Sequence, residues 1–170
     1  MEIINKTVIV TGGASGLGAA VATAFKAKGA NVVIVDLNRE EGQQLVEKLG
    51  DTALFCKTDI TVTDELKAAM EAAMGKYGHI DILINCAGIF PIAKIIGKNG
   101  IHDLYLFKRV IDINLVGTFD AMRLAADKMI KNIPNEEGEK GVIINTASLA
   151  AFDGPTGQAA MHPARQPLWD

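Results

Sequence analysis

Thr7-Val8-Ile9-Val10-Thr11-Gly12-Gly13-Ala14-Ser15-Gly16-Leu17-Gly18 decides the fold: an apolar run of strand length passes through a glycine-rich turn into a helical pattern carried by Ala22, Phe25 and Ala27. The glycines have a physical use in that setting. Backbone without side chains lets a phosphate come close, and a helix start offers it unsatisfied N–H groups and partial positive charge. Gly12, Ser15, Gly16, Leu17 and Gly18 are therefore candidate anion-binding residues. A plain strand-to-helix turn is the alternative, and the rest of the chain has to choose between the two.

Working outward, strands are expected at residues 7–11, 31–35, 52–57, 80–84 and 142–146. Helices are expected at 16–28, 39–49, 63–77 with Thr63 as cap, and 105–132, with a loop over 89–103 that turns at 97–100. Strands alternating with helices predict parallel βαβ units, hence an α/β, doubly wound parallel sheet of about five strands. Ligands of such sheets bind beyond the carboxyl ends of the strands. Asp36, Asp59, Ile60, the stretch Asn85-Cys86-Ala87-Gly88 and Ser148 all fall there, whereas Asn114 lies inside the long helix.

Each of these has a chemical reading. An aspartate at the position of Asp36 can accept hydrogen bonds from an adenosine ribose and repel a 2′-phosphate, which favours NAD over NADP. Asp59 and Ile60 can flank an adenine, and the small residues from Asn85 to Gly88 can bring backbone beside a cofactor. Taken alone, Asn114 reads as a surface or helix-bending residue and Ser148 as a capping or loop serine. His79, His102 and His162 lack partners at metal-ligand spacing, so they are expected in solvated loops and no metal is expected.

Composition narrows the classes further. With 170 residues, 49% of them hydrophobic, the chain suits one domain with a buried core, and its net charge of −3 gives no reason to expect nucleic acid or an anionic membrane as partner. Cys56 and Cys86 are too few for a disulfide scaffold and read as reduced thiols. The first strand begins too early for a leader, and no apolar run reaches membrane-spanning length. A cytoplasmic protein is expected, or one of the mitochondrial matrix if the source is eukaryotic.

In order and spacing, Thr-Gly-x₃-Gly-x-Gly, Asp36, Asp59-Ile60, Asn85-Cys86-Ala87-Gly88, Asn114 and Ser148 resemble the short-chain dehydrogenase/reductase family across residues 1–160. Within it, Gly141-Val142-Ile143-Ile144-Asn145-Thr146-Ala147-Ser148, Ala150-Ala151-Phe152 and Gly157-Gln158-Ala159-Ala160 are similar to the type-2 3-hydroxyacyl-CoA dehydrogenase branch, which also contains a hydroxysteroid dehydrogenase. The resemblance implies a Rossmann domain holding NAD through Ser15, Leu17, Asp36, Asp59, Ile60 and Cys86. It implies a small-molecule substrate oriented by Ser148, a proton-relay water on Asn114, and homo-oligomers using the long helix.

The pattern then breaks. The family's tyrosine and lysine belong thirteen and four residues further on in turn, at positions occupied here by Met161 and Arg165. A thioether has no proton to exchange, and a planar guanidinium is no substitute for an ammonium that bonds ribose. General acid–base catalysis is typically worth ~10²–10⁴-fold, so at least that much is expected to be lost. Pro163 and Pro167 also disfavour the long helix that the resemblance implies here, at about 3 kcal/mol each in a helix interior. Residues 161–170 read as an aberrant tail after an NAD-binding domain of residues 1–160. The family's C-terminal strands and helices are expected to be lacking, which leaves the fifth strand as an uncovered, aggregation-prone edge.

Met161-His162-Pro163-Ala164-Arg165-Gln166 can be written ATG CAT CCA GCA AGG CAG; one T restored in front gives codons for Tyr-Ala-Ser-Ser-Lys-Ala, the motif that is missing. Three outcomes compete: a dehydrogenase by descent with crippled catalysis, a non-catalytic NAD-binding or interaction module, and a non-functional product. Sequencing the coding DNA through the Ala160 codon tests the frameshift. A family-like continuation is expected in the neighbouring frame, and its absence there overturns the idea.

Overall fold

Every residue of β1 (Thr7–Thr11) is buried, as a strand covered by helices on both faces must be. The computed structural model describes residues 1–98 and 100–164. In chain order β1 is followed by α1 (Gly16–Ala27), β2 (Asn31–Asp36), α2 (Arg39–Leu49), β3 (Ala53–Lys57), α3 (Thr63–Tyr77) and β4 (Ile82–Asn85). Then come β5 (Ile96–Gly97), β6 (Gly100–Ile101), α4 (Leu104–Ile111), a π-helical turn (Asp112–Gly117), α5 (Thr118–Met129), β7 (Val142–Asn145), α6 (Ala150–Asp153) and α7 (Met161–Ala164).

The main sheet has the order β3-β2-β1-β4-β7, parallel throughout, which bears out the predicted doubly wound α/β fold. Alternate strand residues serve opposite faces. Ile9, Val33, Val35 and Leu83 pack with Leu66 and Met70 of α3 and Ala121 and Ala125 of α5. Val8, Val10, Val32, Ile34, Ile82 and Ile84 pack on the other face with Ala22 and Phe25 of α1 and Leu45 and Leu49 of α2. Each fully buried aliphatic side chain contributes about 1.5–3 kcal/mol, so strand and helix faces hold one another in place. Because β1 pairs with both β2 and β4, the chain reverses its winding beside β1 and opens a crevice at the carboxyl ends of β1 and β4.

Several local expectations are corrected. Val62, not Thr63, is the N-cap of α3, and Thr63 is its first helical residue. The long helix is interrupted by the π-helical turn, where one extra residue per turn rotates Asn114 inward to 1% exposure. The 89–103 loop contains an antiparallel hairpin, β5 with β6, and Asn99 of its predicted turn lies outside the described residues. Pro163 does sit in a helix, the single turn α7, where the first-turn N–H that proline lacks has no intrahelical partner to lose. Arg165 and Pro167 lie outside the described residues.

His79 lies in a loop, as expected, and is half-exposed, yet its ring has a protein partner. Its Nδ1 lies 2.6 Å from Oδ2 of Asp81, which is 4% exposed and also accepts the Thr7 N–H at 2.9 Å, while Lys6 Nζ donates to Oδ1 at 3.0 Å. One buried carboxylate thus ties β1 to the segment entering β4 at the amino ends of the strands. Asp81→Ala strands the buried Thr7 N–H and is expected to lower the unfolding free energy by about 1–3 kcal/mol in urea titration. A change under about 0.5 kcal/mol would mean the carboxylate is dispensable.

Candidate functional site

The turn between β1 and α1 is built by backbone approach. Gly12 has φ +64°, and a Cβ on it would lie 2.7 Å from the backbone of Ala87; a Cβ on Gly18 would lie 2.0 Å from the carbonyl oxygen of Gly12. No side chain fits at either position. The turn is tied to the sheet by the Gly12 N–H, which donates to the Val35 carbonyl at 2.8 Å, and by the Ala14 N–H, which donates to Asp36 Oδ2 at 3.0 Å. At the N-cap of α1, Ser15 makes no side-chain cap hydrogen bond and the first turn carries no acidic residue. In α2, by contrast, Asn38 accepts the Glu41 N–H. Thus α1 keeps its amino-terminal donors for an anion, and its neighbour does not.

Asp36 is held in place from two sides. Its Oδ1 accepts the Asn38 N–H at 2.9 Å and its Oδ2 the Ala14 N–H, which leaves lone pairs on both oxygens for ribose hydroxyls. Beside it, Asp59 Oδ1 accepts from the Thr61 N–H and hydroxyl, and Glu65 Oε2 accepts the Asp59 N–H, fixing the turn that carries Ile60. An open cleft of about 1220 Å³ runs past these groups. It is lined by Gly12, Ser15, Gly16, Leu17, Gly18, Asp36, Asp59, Ile60, Cys86, Ala87 and Gly88, all sequence-predicted, and also by Leu37, Thr58, Phe90, Ile113, Val116 and Gly117, which sequence reasoning missed. A large cleft with an uncapped helix N-terminus and a fixed carboxylate fits an anionic nucleotide.

Asn85 is the exception among the predicted cofactor residues. It is 1% exposed and off the cleft wall, its Oδ1 accepting from the Thr11 hydroxyl at 3.1 Å and its Nδ2 donating to Asn145 Oδ1 at 2.9 Å. Thr11, Asn85 and Asn145 stand in register on β1, β4 and β7, so this is a side-chain ladder that aligns the strand ends. A polar residue ending each of three adjacent apolar strands was the signal for it. Of the two thiols, Cys56 packs against the core face, and burial pushes it above its ordinary pKa.

The expected catalytic half is arranged otherwise. Asn114 Oδ1 accepts the Ile89 N–H at 2.9 Å, and its Nδ2 donates to the Ile89 carbonyl at 2.7 Å and to Met161 Sδ at 3.1 Å. Protein atoms therefore take the amide nitrogen and one lone pair of the amide oxygen of Asn114. Met161, 6% exposed, packs with Val110, Ala150, Ala160 and Ala164. Ser148 Oγ accepts the Ala150 N–H at 3.2 Å as a local cap, and Ser148 does not line the cleft. Neither tyrosine hydroxyl bonds to it: Tyr77 packs against the core face that includes Cys56, its phenol pushed up mainly by burial, and Tyr105 lines the cleft. Among the described residues no group of three or more metal-ligating side chains occurs, and no helix is long and apolar enough to cross a membrane.

Over residues 6–161 the chain matches the family described as short chain dehydrogenase. The 3-hydroxyacyl-CoA dehydrogenase type-2 of Drosophila melanogaster is 46% identical over 160 residues, 93% of this chain and 63% of that one. The Homo sapiens protein of the same name is 45% identical over 154 residues, 89% of this chain and 59% of that one. The crystal structure of the Mycobacterium avium 3-hydroxyacyl-CoA dehydrogenase type-2 superposes with a TM-score of 0.90 at 36% identity, covering 97% of this chain and 66% of that one. The chain thus spans about three-fifths of the length of these two animal relatives.

Asn114→Ala removes both hydrogen bonds to Ile89. It is expected to cost about 1–3 kcal/mol in unfolding free energy and to speed hydrogen exchange at the Ile89 amide. Unchanged exchange there would mean that the asparagine does not hold the segment.

Proposed function

The chain belongs to the short chain dehydrogenase family, and from that premise we propose that it binds NAD in the cleft of β1, β2 and β4 and descends from oxidoreductases of secondary alcohols, of 3-hydroxyacyl-CoA or hydroxysteroid type, while lacking their catalytic step. The observation that carries the first half is the turn that excludes any Cβ at Gly12 and Gly18 beside the uncapped start of α1. Ser15, Gly16 and Leu17 hold the pyrophosphate there, Asp36 accepts from the adenosine ribose, and Asp59 and Ile60 flank the base. A carboxylate already held by two backbone donors repels a 2′-phosphate, which favours NAD over NADP.

When bound, NAD supplies an acceptor for the two electrons and one hydrogen that leave a carbinol carbon. The protein must then take the hydroxyl proton. At the expected position Met161 offers a sulfur with no exchangeable proton, and that sulfur accepts from Asn114. Ser148 Oγ accepts the Ala150 N–H in its local cap. The expected loss is at least ~10²–10⁴-fold, the usual share of general acid–base catalysis.

The Asn114–Met161 contact also favours a second reading, a non-catalytic NAD-binding or interaction module, because it satisfies the relay position while leaving the nucleotide cleft open. A cytoplasmic setting suits either reading; homo-oligomerisation would follow the family.

Calorimetric titration is expected to show saturable NAD binding that Asp36→Ala weakens about tenfold, with no NADH formed from 3-hydroxybutyryl-CoA plus NAD. Absence of NAD binding leaves a non-functional product as the better account. Turnover at rates usual for enzymes, about 1–10³ s⁻¹, overturns the assignment of Met161 as disabling.

A further inference from the structure

We propose that Gly117 is a positioning residue for the adenine half of the nucleotide cleft, acting through Ile60; the inference rests on the NAD reading above. Gly117 closes the π-helical turn and is buried, and a Cβ built on it would lie 2.9 Å from Ile60 Cγ1, 3.0 Å from Cδ1 and 3.0 Å from the Ile60 carbonyl oxygen. Two of these atoms belong to a side chain that is 7% exposed, and the third to the backbone of the turn that Asp59 and Thr61 fix. The contact therefore cannot be relieved by swinging a free side-chain end.

Something has to move, and the surroundings decide what. The helix cannot withdraw easily, because Asn114, three residues earlier, holds Ile89 through two hydrogen bonds. On its other sides Ile60 meets the close-packed core with Leu66 and Leu83, where even one added methyl group is felt. Both Gly117 and Ile60 line the cleft, so the cleft is the outlet. A methyl group at position 117 pushes Ile60 into the space beside Asp59 where the base is held. The bare backbone at Gly117 thus sets how far Ile60 stands back, and with it the width of the adenine slot. Nothing in the glycine turn or at Asp36 carries this constraint, which comes from the opposite side of the cleft.

The test compares wild type, Gly117→Ala, Ile60→Ala and the double variant, titrated with NAD, with 5′-AMP as the adenine probe, and with inorganic pyrophosphate as the probe of the Gly12–Gly18 turn. Gly117→Ala is expected to weaken NAD and AMP about tenfold each while leaving pyrophosphate within twofold. A loss of general fold quality would instead weaken all three together and overturn the proposal. Adding Ile60→Ala to Gly117→Ala is expected to recover most of the lost AMP affinity, although Ile60→Ala alone weakens it. Failure to recover, or equal AMP affinity in Gly117→Ala and wild type, also overturns it. Should Gly117→Ala not fold, the double variant is compared with Ile60→Ala: less than a threefold difference in AMP affinity is expected, and tenfold contradicts the mechanism. If wild type binds neither NAD nor AMP, the NAD reading falls and takes this inference with it, whereas wild-type binding with an unaffected Gly117→Ala removes this inference alone.

Discussion

The first turn of the chain admits no side chain at two points, and the geometry around the cleft follows from that close approach. With Gly12 against the backbone of Ala87 and Gly18 against the carbonyl of Gly12, α1 starts directly above the end of β1. Its free N–H groups then face the crevice where the sheet reverses its winding. A Cβ on Gly18 would push the helix from the turn, and one on Gly12 would push the turn from the segment that follows β4. The Asp36 carboxylate reinforces the arrangement by accepting from Ala14, so the group suited to a ribose also holds the turn suited to phosphates.

The opposite wall is set by a different device. A π-helical turn costs regular hydrogen bonding but delivers Asn114 to the core, where it grips the backbone of Ile89 from both sides. The segment Cys86 to Ile89 is thereby fixed between the sheet end and the helix, and the cleft has two rigid sides rather than one. The ladder from Thr11 through Asn85 to Asn145 adds a third restraint by aligning the ends of β1, β4 and β7. Polar side chains at these strand ends are satisfied by one another, which makes their burial tolerable.

The contrast between the two halves of the site is chemical as much as geometric. On the nucleotide side, the Ser15 side chain makes no cap hydrogen bond, and each Asp36 oxygen keeps a lone pair beyond the one backbone N–H it accepts. On the other side, the Asn114 amide bonds to Ile89 and to a thioether, and Ser148 Oγ accepts from Ala150. Met161 belongs to a small apolar cluster with Val110 and Ala164, so its burial and its sulfur contact reinforce each other. The fold thus holds a buried, proton-less side chain at position 161 together with an intact glycine turn between β1 and α1.

The sequence by itself determined the parallel sheet and most of the cleft lining, because strand-length apolar runs, helix periods and a glycine turn are local signals written in consecutive residues. Asp36, Asp59, Ile60 and Cys86 to Gly88 were legible for the same reason: each follows a strand, and strand ends of this architecture meet at one place. What only the tertiary structure decided depends on partners far along the chain. Asp81 drew His79 and Lys6 into one cluster across 75 residues of separation. Asn85 turned from cofactor contact to ladder rung because Asn145 arrives beside it from β7. The π-helical turn has no local signature either, since one extra residue in a helix leaves its apolar pattern nearly unchanged, and only the facing groups, Ile60 against Gly117 and Ile89 against Asn114, reveal why it is there.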